Sequence, residues 1–224
     1  MFSLQRAKEV MEGKPEYRLE QVKRAVFQQN ITNWQEAQGL PKDLRNKLAE
    51  ELPLELKSSF FESDDAKTVK ALLELDDGLQ IETVLMMHQD GRNSVCVSSQ
   101  VGCPVGCTFC ATGQMGFERN LDPHEIYNQV LLFNRYLAEK EEQVTNIVFM
   151  GMGEPFLNYE NVMRAAKVFN DEEAFNIGAR KISISTVGIP EGIKALSEED
   201  KQFNLAVSFH AVTNKLRSEL VPIN

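Results

Sequence analysis

Between residues 122 and 208 the hydrophobic period of the chain alternates between helix and strand three times. Asp122-Pro123-His124-Glu125 reads as a helix start, with Asp as the cap, Pro at the first helical position and Glu closing the capping box. That helix continues through Ile126, Val130, Leu131 and Leu137. Strands are expected at 144–150, 182–186 and 203–208, with helices at 158–169 and 190–196. Strands separated by helices are joined by crossovers, which build a parallel sheet or barrel whose ligands gather at the strand C-terminal ends. With the strand ending at Ser98 this makes four parallel strands, too few to close a barrel. The expected class is α/β, a partial parallel β/α barrel incomplete at its C-terminus, in a chain read as truncated at Asn224.

Upstream, residues 1–62 read as helices: Leu19, Val22, Val26 and Phe27 recur at helical spacing, as do Leu44, Leu48 and Leu52. From Thr68 the period becomes two, and the Asp77-Gly78 and Asp90-Gly91 steps signal hairpins. Three parts follow: a helical accessory domain at 1–62, a β-meander at 63–94 and the truncated barrel at 95–224. The first part carries ten basic and ten acidic side chains, so the whole net charge of −9 lies beyond it. That balance argues against nucleic-acid binding, which needs local positive charge. Lys14, Arg18, Lys23, Arg24, Lys42, Arg45 and Lys47 read first as a solvated helical face and second as an RNA-touching one. No apolar run reaches membrane-span length and the N-terminus shows no signal pattern, so a cytoplasmic protein without a membrane partner is expected.

All four cysteines fall between positions 96 and 110, and Cys103, Cys107 and Cys110 read C-x3-C-x2-C. Clustered thiols suit a reduced compartment and a shared inorganic ligand better than a disulfide framework. Three thiolates on a [4Fe–4S] cube leave one iron open to a substrate or cofactor. The competing reading is a non-catalytic zinc-binding interaction module, with Cys96 or His88 as fourth ligand. Other ligand-type residues close the parallel strands: Gly151-Met152-Gly153-Glu154-Pro155, Ser185-Thr186 and Ser208-Phe209-His210. Two glycines permit close backbone approach, and Glu154 offers a carboxylate to an ammonium group.

The segment Cys103-Pro-Val-Gly-Cys107-Thr-Phe-Cys110 resembles the signature of radical S-adenosylmethionine enzymes. The wider context resembles one branch, the RlmN/Cfr-type rRNA adenine methyltransferases. The matching stretches are Cys96-Val-Ser-Ser-Gln-Val-Gly-Cys103, Gly116-Phe-Glu-Arg-Asn-Leu121, Phe149-Met-Gly-Met-Gly-Glu-Pro155, Ile184-Ser-Thr186, Ser208-Phe-His210 and Leu220-Val-Pro-Ile-Asn224. The resemblance implies that Cys103, Cys107 and Cys110 hold a [4Fe–4S] cluster. It implies that Gly153, Glu154, Ser185, Ser208, Phe209 and His210 bind S-adenosylmethionine. Reductive cleavage of that cofactor is chemistry that side chains alone do not supply.

In the family, a cysteine near the C-terminus is methylated, loses a hydrogen to the adenosyl radical, and its methylene carbon attacks C2 of an adenine in 23S rRNA. Some members also act on tRNA. A second thiol resolves the protein–RNA adduct by forming a transient disulfide. Cys96 matches that resolving thiol, and Glu82 matches the proton acceptor, although Glu82 also reads as an exposed strand carboxylate. Further implied partners are a low-potential electron donor such as flavodoxin or ferredoxin, with a monomer as the full-length state. The chain departs from the pattern at one point: no cysteine follows Cys110. It is therefore expected to hold the cluster and cleave its cofactor but not to methylate RNA. C8 methylation of the same adenine and a radical enzyme with another substrate remain alternatives.

Overall fold

A computed structural model describes residues 1–224. Nine strands run in chain order: β1 (Ser58–Glu62), β2 (Thr68–Glu74), β3 (Gln80–Met87), β4 (Asn93–Cys96), β5 (Gln100–Gly102), β6 (Phe117–Asn120), β7 (Asn146–Phe149), β8 (Ile182–Thr186) and β9 (Asn204–Val207). Seven form one sheet in the order β1-β2-β3-β4-β7-β8-β9. The pairs from β1 to β4 are antiparallel and those from β4 to β9 parallel, so hairpins give way to crossovers at β4. β5 and β6 pair separately as an antiparallel ribbon.

Helices α1 (Leu4–Val10), α2 (Tyr17–Phe27) and α3 (Lys42–Glu51) precede the sheet. Helices α4 (Ala111–Gln114), α5 (Pro123–Ala138), α6 (Tyr159–Asn170), α7 (Pro190–Ser197) and α8 (Asn214–Leu220) lie between or after the strands. The capping box read at Asp122 is present: the Glu125 carboxylate accepts from the Asp122 N–H at 2.8 Å. Arg119 of β6 grips the same carboxylate at 2.8 Å and Asp77 at 2.7 Å, fastening the ribbon to the start of α5 and to the β2–β3 turn. These carboxylates raise the Arg119 pKa further.

Alternation along the strands splits the sheet into two unlike faces. Val69, Ala71, Leu73, Ile81, Leu85, Val95, Ile147, Ile182 and Ile184 point to one side and are fully buried. The register sets Phe61, Lys70, Val84, Cys96, Val148, Ser183 and Asn204 in one row across the other face, and these remain partly or largely open. This second face is the concave side of a partial barrel.

Two differences from the sequence reading have plain causes. β1 falls inside the stretch read as helical, because its Ser-Ser-Phe-Phe-Glu side chains are mostly exposed on both faces and show no alternation. The helices of residues 1–62 also pack into the same apolar core as the sheet helices. Phe27 meets Tyr127 of α5 edge-on at 5.6 Å, and Asn128 donates to the Phe2 carbonyl at 2.8 Å.

Candidate active site

The C-terminal ends of β4, β7, β8 and β9 carry the loops that make the site. A cavity of about 390 Å³ opens there, lined among others by Gly153, Glu154, Ser185, Thr186 and Ser208. The Ser185 and Ser208 hydroxyls stand 3.4 Å apart, and the Ser208 N–H donates to the Thr186 carbonyl at 2.8 Å. Glu154 is only 2% exposed. One of its carboxylate oxygens accepts from the Phe156 N–H at 3.0 Å and the other from the Val187 N–H at 2.8 Å. The carboxylate thus joins two loops while keeping one lone pair on each oxygen for a ligand.

The cysteine loop is tied off by the β5–β6 ribbon. Gly102 has φ +75°, and a Cβ there would stand 2.0 Å from the Gly116 carbonyl oxygen. No other residue allows these two backbones to cross so closely. Within the loop the Cys103 N–H donates to Gly116 O at 2.8 Å and the Cys110 N–H to Cys107 O at 3.1 Å. Cys107 is buried against Val105 and Val221, with Cys103 and Cys110 half-buried beside it. Burial pushes the Cys103 and Cys107 thiols up, and negative charge on the neighbouring thiols pushes them the same way. The Phe109 ring packs on His210 with centroids 4.5 Å apart, linking the cysteine loop to the end of β9.

Sequence reasoning missed the frame that holds these loops. Gln129 of α5 is fully buried and clamps one residue: its carbonyl accepts from the Ser98 N–H at 2.7 Å and its amide donates to Ser98 O at 3.0 Å. The Ser98 hydroxyl donates to the Glu82 carbonyl at 2.6 Å and accepts from the Met152 N–H at 2.9 Å. The Gln100 side chain accepts from the Glu154 N–H at 2.8 Å, and Asn158 donates to Ser99 O and Leu121 O, each at 2.8 Å. The one available signal was a glutamine on the apolar stripe of α5, among Ile126, Val130 and Phe133. Replacing Gln129 by alanine should cost about 3 kcal/mol, because two buried backbone groups lose their partners. Urea unfolding measures this, and a loss below about 0.5 kcal/mol would contradict the clamp.

The remaining candidates lie apart from the cavity. Cys96 sits in the central row of the concave face, between Val84 and Val148. Burial pushes its thiol up to about 11 against a small opposing effect of a hydrogen bond with the Met150 backbone. Glu82 is exposed and its carboxylate pairs with Lys70 at 3.0 Å. Its backbone is pinned on both sides, since its N–H also donates to the Met152 sulfur at 3.3 Å. Phe209 and His210 stand outside the cavity lining. His88 bonds Ser94 at 3.1 Å, near the far end of β4 from the cysteine loop.

The sequence model of the radical SAM superfamily matches residues 97–222, more than half of the chain. This chain belongs to the radical SAM superfamily. It is 47% identical over 212 residues to a probable dual-specificity RNA methyltransferase RlmN of Dictyoglomus thermophilum, covering 95% of this chain and 61% of that protein. It is 46% identical over 203 residues to a ribosomal RNA large subunit methyltransferase N of Nitrosopumilus maritimus, covering 81% and 57%. A solved radical SAM methyltransferase from Sphaerobacter thermophilus superposes with a TM-score of 0.93 at 45% identity, over 100% of this chain and 66% of that one. The chain therefore spans about 60% of the length of the first two relatives.

Radical SAM proteins use a [4Fe–4S] cluster and S-adenosylmethionine, and the residues here fit both. Three thiols share one small apolar nest, and a cavity with a carboxylate and two hydroxyls adjoins their loop.

Proposed function

We propose that this chain serves radical S-adenosylmethionine methylation of RNA, at C2 of an adenine in 23S rRNA and also in tRNA. The observation that carries the reading is the cavity at the ends of β7, β8 and β9, lined by Gly153, Glu154, Ser185 and Ser208 beside the three-cysteine loop. The names of the relatives at 46–47% identity give the substrate class.

In this reading Cys103, Cys107 and Cys110 hold the cluster, whose bound cofactor supplies one-electron cleavage of a carbon–sulfur bond. The free lone pairs of Glu154 take the cofactor's amino group against the open backbone of Gly153. Ser185 and Ser208 would hydrogen-bond further along it, with Phe209 and His210 contributing from the end of β9. On the concave face Cys96 is the resolving thiol and Glu82 the proton acceptor, held near Lys70. The Cys96 thiol is protonated at neutral pH in its resting surroundings. Attack therefore requires a base at the moment the adduct arrives, since only the thiolate is nucleophilic.

Adenine C2 is reached only when the base is unstacked and presented to the barrel mouth. The neutral helical part at 1–62 is the proposed second RNA contact. The reductant is of the flavodoxin or ferredoxin class, the compartment the cytoplasm and the full-length state a monomer.

Anaerobic incubation of the iron-loaded chain with dithionite and S-adenosylmethionine tests this reading. 5′-Deoxyadenosine should form, while added 23S rRNA should acquire no methyladenine, because no cysteine follows Cys110 to carry the methyl group. Absence of 5′-deoxyadenosine would defeat the cofactor assignment. Stoichiometric methyladenine would defeat the assignment of the methyl group to a thiol this chain lacks.

A further inference from the structure

Helix α8 lies against the cysteine loop. The Thr108 N–H donates to the Leu220 carbonyl at 3.0 Å, and Val221, just past the helix, is fully buried against Val105 and Cys107. From the same helix Arg217 reaches back over the loops. Its guanidinium donates to the Val187 carbonyl, to the Phe209 carbonyl at 3.3 Å and to the Asn224 side chain. The Val187 backbone is thus gripped at both ends, since its N–H is held by Glu154 at 2.8 Å.

All acceptors of Arg217 are neutral, and none of the ion pairs in the protein includes it. The Glu154 carboxylate and the Arg217 guanidinium thus hold the two ends of one residue, Val187, which packs against the cysteine nest. Only one of them, Glu154, was legible in the sequence.

We propose that Arg217 is a positioning residue of the cluster centre whose unpaired positive charge, held on the Val187 carbonyl against the cysteine nest, raises the reduction potential of the bound cluster. This rests on the assignment of Cys103, Cys107 and Cys110 as cluster ligands. The reason is electrostatic: one-electron reduction makes a thiolate-held cluster more negative by one unit, and a nearby cation favours the reduced form over the oxidised one. Groups outside the ligand set that tune a metal centre in this way act through charge and hydrogen bonding. The electron comes from an external donor, and Arg217 neither gains nor loses a proton.

Potentiometric titration of the iron-loaded chain, followed by the electron paramagnetic resonance signal of the reduced cluster, reads the effect. Arg217→Gln should shift the midpoint to lower potential, whereas Arg217→Lys, which keeps the charge and loses the fork, should hold the wild-type value. An unchanged midpoint in Arg217→Gln would overturn the proposal, as would an equal shift in both variants. Should Arg217→Gln fail to hold iron, Arg217→Met takes its place with the same lowered midpoint expected, and an unchanged midpoint there overturns the proposal. A lowered midpoint in Arg217→Lys overturns it as well. Failure of the wild-type chain itself to take up iron would instead defeat the cluster assignment.

Discussion

Cys107→Ala should strip the protein of its iron, from about four atoms per chain to a trace, together with the brown colour of the reconstituted wild type. Cys107 is the most buried of the three proposed ligands and is packed against Val105 and Val221. Cys96→Ala should keep its iron, because Cys96 lies on the concave face of the sheet rather than in the loop. Iron analysis after anaerobic reconstitution separates the two variants. Iron lost equally from both would restore a four-cysteine site. The far-UV circular dichroism of the Cys107→Ala apoprotein should match that of the wild type. The strand ends that carry the loops are held by Gln129, Ser98, Gln100 and Asn158.

Gly153→Ala should weaken S-adenosylmethionine binding by at least about tenfold, roughly 1.4 kcal/mol, and lower the melting temperature as well. Gly153 has φ +101°, a conformation that side chains rarely adopt. A Cβ there would stand 2.6 Å from the Gln100 Cβ and 2.8 Å from the Gln100 nitrogen. Gln100 cannot move freely, because its side chain holds the Glu154 N–H at 2.8 Å and the Asn120 side chain at 2.8 Å. The strain passes directly to Glu154 and the cavity wall. Calorimetric titration of the iron-loaded protein measures the loss. Full affinity in a folded Gly153→Ala protein would remove the Gly153 backbone from the binding surface.

The parallel half of the fold was legible because each buried strand is a short apolar run bounded by helices. The strand at Ile182–Thr186 and the start of α5 at Asp122-Pro123 came out as read. β1 left no trace in the periodicity, because none of its side chains is fully buried on either face. The β5–β6 ribbon is defined by backbone pairing over strands of three and four residues with a bulge at Val101 and Gly102, which side-chain pattern does not encode. The strand-end motifs marked Gly153, Glu154, Ser185 and Ser208, and all four line the cavity. The amides that brace them were silent, since Gln100, Gln129 and Asn158 act through single contacts with backbone far away in sequence. Arg217 was silent for the same reason: its partners Val187 and Phe209 offer only carbonyl oxygens.

The clamp of Gln129 on Ser98 has a consequence for how such a centre is maintained. In a zinc finger the metal is the fold, and its loss unfolds the domain. Here the strand end that leads to the cysteine loop is braced by side-chain amides at Ser98 and Ser99. Loss of the cluster to oxygen should then leave a socket rather than a ruin. Refilling it is delivery of cargo to a standing berth, with no chain to refold.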